Sequence, residues 1–166
     1  MSFAEDTQRL SLLNKWEDKC WGKTRLVPND AFLEVKAIKE VVDKWGNNCL
    51  VHELQVEKGG YCSIHWHWKW NRFVIDDACI QIEIWQIRDT WLSDGDAYDA
   101  RGADNVFVLN GQKSGPKILD VETGVVHRFT VLESGRVWEA YWPGKPSSGV
   151  DLDDIIRFKE GGVLFC

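Results

Sequence analysis

Polar and apolar residues alternate with period two over most of the chain from Cys49 onward, and turn residues punctuate the alternation. Leu50-Val51-His52-Glu53-Leu54-Gln55-Val56 reads as a half-buried strand. Gly59-Gly60 ends it. Cys62 to Ile75 then reads as one long strand or a strand pair, closed by the turn at Asp76-Asp77. Ile80, Ile82 and Ile84 alternate with Gln81, Glu83 and Trp85 in a further strand. Arg88 to Asp104 is polar and rich in Asp and Gly, and is predicted to be a surface loop. More strands are predicted over Val106–Leu109, before the Asn110-Gly111 turn, and over Lys117–Val121, Val125–Leu132 and Arg136–Trp142. Pro143 to Gly149 reads as a loop and Asp151 to Phe158 as a short helical turn.

Helical spacing occurs only early. Leu10, Leu12, Leu13 and Trp16 predict a helix over Thr7–Trp16, with Asp6 or Thr7 as N-cap, and Leu33–Val42 is a second, more ambiguous segment. Residues 1–48 are therefore expected to be an N-terminal extension, with a short helix and an edge strand packed on a domain formed by residues 49–166. Short strands joined by turns point to an all-β antiparallel sandwich or barrel. Spacing alone leaves a closed barrel, a jelly roll and an immunoglobulin-like sandwich open, although the Cys–Trp–Cys pattern of the last is absent.

Composition narrows the function. The 166 residues carry 20 Lys+Arg against 26 Asp+Glu, a net charge of −6, which argues against nucleic acid as the main partner. No apolar run approaches the ~20 residues needed to span a bilayer. The acidic start, Met1-Ser2-Phe3-Ala4-Glu5-Asp6, does not resemble a secretory signal, so a cytoplasmic location is expected. The five irregularly spaced cysteines then read as reduced thiols, mostly buried, with Cys62 near enough to a histidine pair to approach it.

That pair is His65-Trp66-His67. On a strand, residues i and i+2 face the same way about 6.5–7 Å apart, so two imidazoles can converge on one cation. His127, on a later strand, is the natural third ligand; His52 reads as facing solvent or a side-chain partner. The competing reading is an incidental pair on a polar face. The same parity places Lys69, Asn71 and Phe73 with the histidines, and Trp66, Trp68, Trp70 and Arg72 on the other face. Lys69 would suit an anionic substrate group, or would pair with a carboxylate such as Glu53 or Glu139, or reach solvent. Tyr61 and Tyr141 are candidate pocket phenols. Glu53, Glu83 and Glu139 are possible acid–base groups, each read in preference as a strand-surface carboxylate. Three of the ten tryptophans lie on the face away from the histidines, which favours packing or dimerisation over a sugar-stacking platform.

These residues resemble the motifs of the cupin superfamily. Gly59 precedes His65-Trp66-His67 by the first motif's spacing; Asn71 stands where that motif has glutamate and Ala78 where it has glycine. Gly124 and His127 match the second motif, while Pro116, Glu122 and Val131 occupy its first glycine, proline and asparagine positions. Trp21-Gly22-Lys23-Thr24, Asn71-x-Phe73-Val74 and Asp154-Ile155-Ile156-Arg157 extend the resemblance to small uncharacterised cupins. It implies a double-stranded β-helix (jelly-roll barrel), often dimeric. It also implies a divalent transition metal (zinc, iron, nickel or manganese) held by His65, His67 and His127, with Asn71 as fourth or outer ligand. Lys69 and Tyr61 are expected to contact a small polar ligand, a sugar or an organic acid. Metal-dependent isomerase, epimerase or dioxygenase chemistry and a noncatalytic binding module all remain open at this level.

Overall fold

The structure is a computed structural model that describes residues 13–28, 34–86, 95–144, 150 and 154–164. It contains two antiparallel sheets. Strands β1 (Glu17–Lys19), β2 (Gly22–Val27), β3 (Leu50–Val56), β6 (Lys69–Ile75), β9 (Ile118–Val121) and β11 (Gly135–Pro143) form the first sheet, in the spatial order β1-β2-β3-β11-β6-β9. The second is centred on β10 (Val126–Glu133). One side of β10 pairs with β7 (Cys79–Trp85), which pairs in turn with β8 (Asn105–Asn110). On its other side lie β5 (Ile64–Trp66) and β4 (Gly60–Tyr61), flanked by β12 (Ile156–Lys159) and β13 (Gly162–Val163).

Alternation explains the layers. Leu54, Val56, Phe73, Ile75, Ile80, Ile82, Phe129, Val131 and Val137 point between the sheets and fill one part of the barrel with apolar side chains. The residues between them along β3, β6 and β11 point outward, yet many are also apolar, because helix α1 (Lys36–Trp45) covers that face. Ala37, Ile38 and Val41 of α1 pack on Val51, Val74, Trp138, Ala140 and Trp142. Gly46 ends the helix at φ 55°, a conformation that a side chain would strain. On the outer face of the second sheet, Ile64, Trp85, Tyr98 and Val126 form a smaller cluster. Among the described residues no helix is long and apolar enough to cross a membrane.

The two-sheet prediction holds, with local corrections. Residues 7–12 of the first predicted helix lie outside the described residues. Leu13 to Trp16 are not helical: Leu13 bridges Leu26 and the Asn14 N–H donates to the Leu26 carbonyl at 2.7 Å. The second helix forms three residues later than predicted, where its apolar face meets the sheet. Residues 17–27 are a hairpin whose second strand pairs with β3 along its length, so they are part of the sheet. Cys62–Ile75 is a strand pair broken at His67-Trp68, and its two halves belong to different sheets. Of the predicted loop over 88–104, residues 95–101 form helix α2 (Gly95–Arg101), which buries Tyr98 beneath the Trp85 indole that donates to its carbonyl at 3.0 Å. Residues 156–159 are a strand, not a helical turn, because β5 offers them a free edge. Residues 145–149 of the predicted loop and 151–153 of the predicted turn lie outside the described residues.

The tryptophan ladder divides at the same break. Trp66 packs on the cluster beneath α2 and Trp70 stacks on Trp142 at 5.8 Å beside α1. Trp68 is 64% exposed and meets Trp66 edge-on at 4.5 Å.

Candidate metal centre

Three histidines converge inside the barrel, beyond the end of the apolar core. His65 lies on β5 directly opposite His127 on β10, so both share the inner face. His67 sits in the break between β5 and β6, and its carbonyl accepts the N–H of Gly124 at 2.8 Å. Gly124 makes that turn at φ 75° and ties the loop before His127 to the loop bearing His67. Ring centroids are 4.4 Å apart for His65–His127, 5.0 Å for His67–His127 and 5.7 Å for His65–His67. One candidate ligand atom from each lies within 4.8 Å of the others. Three metal–nitrogen bonds of ~2.1 Å at tetrahedral angles hold the nitrogens ~3.4 Å apart, so inward shifts of up to ~0.8 Å per ring close the set on one ion.

The hydrogen bonds fix which nitrogen faces the centre. Nδ1 of His65 lies 2.8 Å from the Ser63 carbonyl, Nδ1 of His67 lies 2.7 Å from that of Lys69, and Nδ1 of His127 lies 2.9 Å from that of Val125. A carbonyl oxygen only accepts, so each Nδ1 carries the proton and donates it. Burial, with the neighbouring charges, holds all three imidazoles neutral, lowering His67 to about 3 and His127 to about 4, with His65 also well below its usual value. Each Nε2 therefore bears a lone pair. The Nε2 atoms of His67 and His127 are buried without a hydrogen-bond partner, as a ligand lone pair awaiting a cation would be.

Asn71 lies on the same inner face and is 1% exposed. Its Nδ2 donates to Oε1 of Glu139 at 3.3 Å, while Oε2 of Glu139 accepts the Tyr141 hydroxyl at 2.7 Å. A carboxylate only accepts, so it orients the amide: Nδ2 turns to Glu139, and Oδ1 is left buried and unpartnered. An amide thus stands in the position where a glutamate was expected, and the Glu139 carboxylate is hydrogen-bonded to it. Burial raises Glu139 above the usual carboxylate range, against the hydrogen bonds from Tyr141 and Asn71; burial and Glu139 together raise the Tyr141 phenol, which keeps its proton to donate.

Lys69 is buried at 6% exposure, its Nζ donating to the Asp154 carbonyl at 2.6 Å and lying 5.6 Å from the Tyr141 ring centre. The Asp154 carboxylate accepts the Trp68 N–H at 2.8 Å, so this segment is pinned across the rim of the site. Tyr61 is not brought to the centre. It lies directly opposite Thr130, one of the outward positions of β10, and the Arg128 guanidinium stands 5.8 Å from its ring centre. The expectation of a pocket phenol there is corrected by this register; the phenol beside the histidines is Tyr141, 5.8 Å from His67. Of the two expectations for His52, solvent or a side-chain partner, the structure shows the second: it faces inward with Nδ1 3.3 Å from the Thr24 hydroxyl and lies edge-on to Tyr141 at 5.7 Å, and burial lowers it to about 4. Cys62 packs in the apolar core, with its Sγ accepting the Phe129 N–H at 3.1 Å, and burial raises its thiol far above the usual range. Glu53 and Glu83 face outward and pair with Arg25 and Arg128.

Glu139 is legible in the sequence as a possible acid–base group or partner of Lys69, and reads in preference as a strand-surface carboxylate. Its strand has apolar residues on both faces, because α1 covers the outer one, so parity alone does not say which face is the interior. A Glu139→Gln variant is expected to weaken divalent-metal binding by about 10–100-fold. Its carboxamide accepts from Tyr141 and then offers an N–H to Asn71, which turns the Asn71 oxygen away from the centre. Competition against a chromophoric chelator measures this; unchanged affinity would mean that Glu139 does not orient Asn71.

The architecture is similar to solved oxalate decarboxylases. The match to the Bacillus subtilis enzyme has a TM-score of 0.56 at 11% identity and covers 86% of this chain and 29% of that one. The match to the Lactobacillus farciminis enzyme, solved as a formate complex, has a TM-score of 0.51 at 15% identity, covering 81% and 31%. This chain thus spans less than a third of either protein's length. No family sequence profile and no curated protein sequence matches it.

Proposed function

We propose that this chain, which has the cupin fold, is a metal-binding protein that takes a small polar molecule, a sugar or an organic acid, into the barrel. The ion is a divalent transition metal: zinc, iron, nickel or manganese. His65, His67 and His127 are its ligands and Asn71 Oδ1 the fourth donor. The reading rests on one observation above the others: three Nδ1–H groups are committed to backbone carbonyls, and three neutral Nε2 atoms converge. Imidazole suits all of these ions. When bound, the metal supplies Lewis acidity toward a hydroxyl or carbonyl oxygen beside it. The chain's own part is to hold the imidazoles in one tautomer and to aim the Asn71 oxygen through Glu139. Tyr141 and Glu139 keep one proton between them beside the site, and Lys69 fastens the rim at Asp154.

The test is elemental analysis of the tag-free chain after separate incubation with zinc, iron(II), nickel and manganese and removal of free ion. About one equivalent of at least one metal is expected. A chain that stays metal-free with all four would end this reading.

A further inference from the structure

Arg157 is a cation at the mouth of this site that the metal centre does not use. It lies on β12 directly opposite His65, just as His127 does on the other side of β5. Residues directly opposite one another in antiparallel strands share a face, so His127, His65 and Arg157 form a row on the inner face. Phe158 next to it points outward, 5.1 Å from Tyr98. Arg157 is nevertheless exposed, unlike the buried His65 and His127 beside it. An inward-facing, solvent-exposed side chain marks where the barrel opens. Lys159, also on β12, is tied down by Asp96 at 2.9 Å and Asp99 at 2.7 Å; among the described residues Arg157 makes no such ion pair.

The site carries both signs, but its carboxylates are already engaged: Asp154 at the rim accepts the Trp68 N–H at 2.8 Å and lies 4.0 Å from the Lys69 ammonium, and Glu139 accepts from Asn71 and Tyr141. The three imidazoles and Asn71 are neutral, and Lys69 adds a buried ammonium on the same inner face. An incoming neutral polyol gains little from a guanidinium, whereas an oxyanion accepts two parallel N–H bonds from it.

We infer that Arg157 is a specificity-determining residue that anchors an anionic group, and that the barrel's ligand is a small organic anion bearing a carboxylate or a phosphate. This deepens the proposed function and rests on its reading of the barrel as the binding site. The chain's net charge of −6 means that the attraction is local to the mouth rather than a property of the whole surface.

The experiment is calorimetric titration of the full chain, metal-free and zinc-loaded, with malonate, inorganic phosphate and erythritol. Arg157→Gln and Arg157→Lys are compared with wild type. At least one of the two anions is expected to bind the wild type more tightly than erythritol, and which one does so identifies the oxyanion. Arg157→Gln is expected to weaken that binding at least tenfold with zinc uptake unchanged, and Arg157→Lys to recover part of it. Anion binding by Arg157→Gln equal to wild type overturns the inference, as does absence of anion binding in both forms of the wild type. If zinc is not taken up, the metal reading fails separately, and anion binding by the metal-free chain still decides the role of Arg157.

Discussion

A His65→Ala, His127→Ala double variant is expected to lose at least about 1,000-fold in divalent-metal affinity while keeping its fold. Loss of an outer hydrogen-bond partner alone costs about 10–100-fold in metal sites; this variant loses two of the three lone pairs, leaving His67 and Asn71. The barrel should survive, because its apolar core of Leu54, Phe73, Ile82 and Phe129 lies beyond the centre and is untouched. The freed carbonyls of Ser63 and Val125 can accept from water entering the polar space left behind. Equilibrium dialysis with zinc measures the loss, and circular dichroism of the same samples measures the fold. Wild-type affinity with intact structure would move the centre elsewhere.

The second large effect is acid lability of the metal-free protein. Four histidines are buried neutral: His52 and His127 lowered to about 4, His67 to about 3 and His65 also lowered. In the unfolded chain each takes up a proton near pH 6.5. The unfolded state therefore binds more protons than the native state between about pH 6.5 and pH 4, so stability falls as pH falls through that window. Above it these groups contribute no slope. Each contributes ~1.4 kcal/mol per pH unit, so four together approach ~5–6 kcal/mol per unit. Against a typical total of ~5–15 kcal/mol, the metal-free chain is expected to unfold in acid before pH 4 is reached. Urea midpoints measured at half-unit steps from pH 7.5 to 4.5 test this. The double alanine variant should lose about two protons of that slope. Bound metal should hold the wild type folded to lower pH, since the ion binds only the neutral imidazoles. A flat midpoint across the window would mean that the histidines are not buried neutral.

Much of this barrel is legible in the sequence where a strand is long enough to alternate and is closed by a turn. Leu50–Val56 and Cys79–Trp85 are of this kind. The break between β5 and β6 is not, because it falls at His67-Trp68 within an aromatic run that carries no Gly or Pro. Helix α2 hides in a polar stretch, since Tyr98 is the one large apolar residue it buries. Strands β12 and β13, of four and two residues, exist only because β5 and β4 offer edges to pair with. In the centre, His65, His67 and Asn71 follow from strand parity, which survives the break, while His127 follows as the natural third imidazole and from the motif resemblance. Glu139, Tyr141 and Arg157 depend on register between strands distant in sequence. The same register removes Tyr61 from the pocket.

The central claim is that three imidazoles and an amide oxygen hold one ion inside the barrel. X-ray absorption spectroscopy of the zinc-loaded chain tests it most directly. The expected spectrum has three imidazole nitrogens at ~2.0–2.1 Å, oxygen in the remaining positions and no sulfur. A spectrum with fewer than three imidazoles, or with a sulfur at ~2.3 Å, would contradict it.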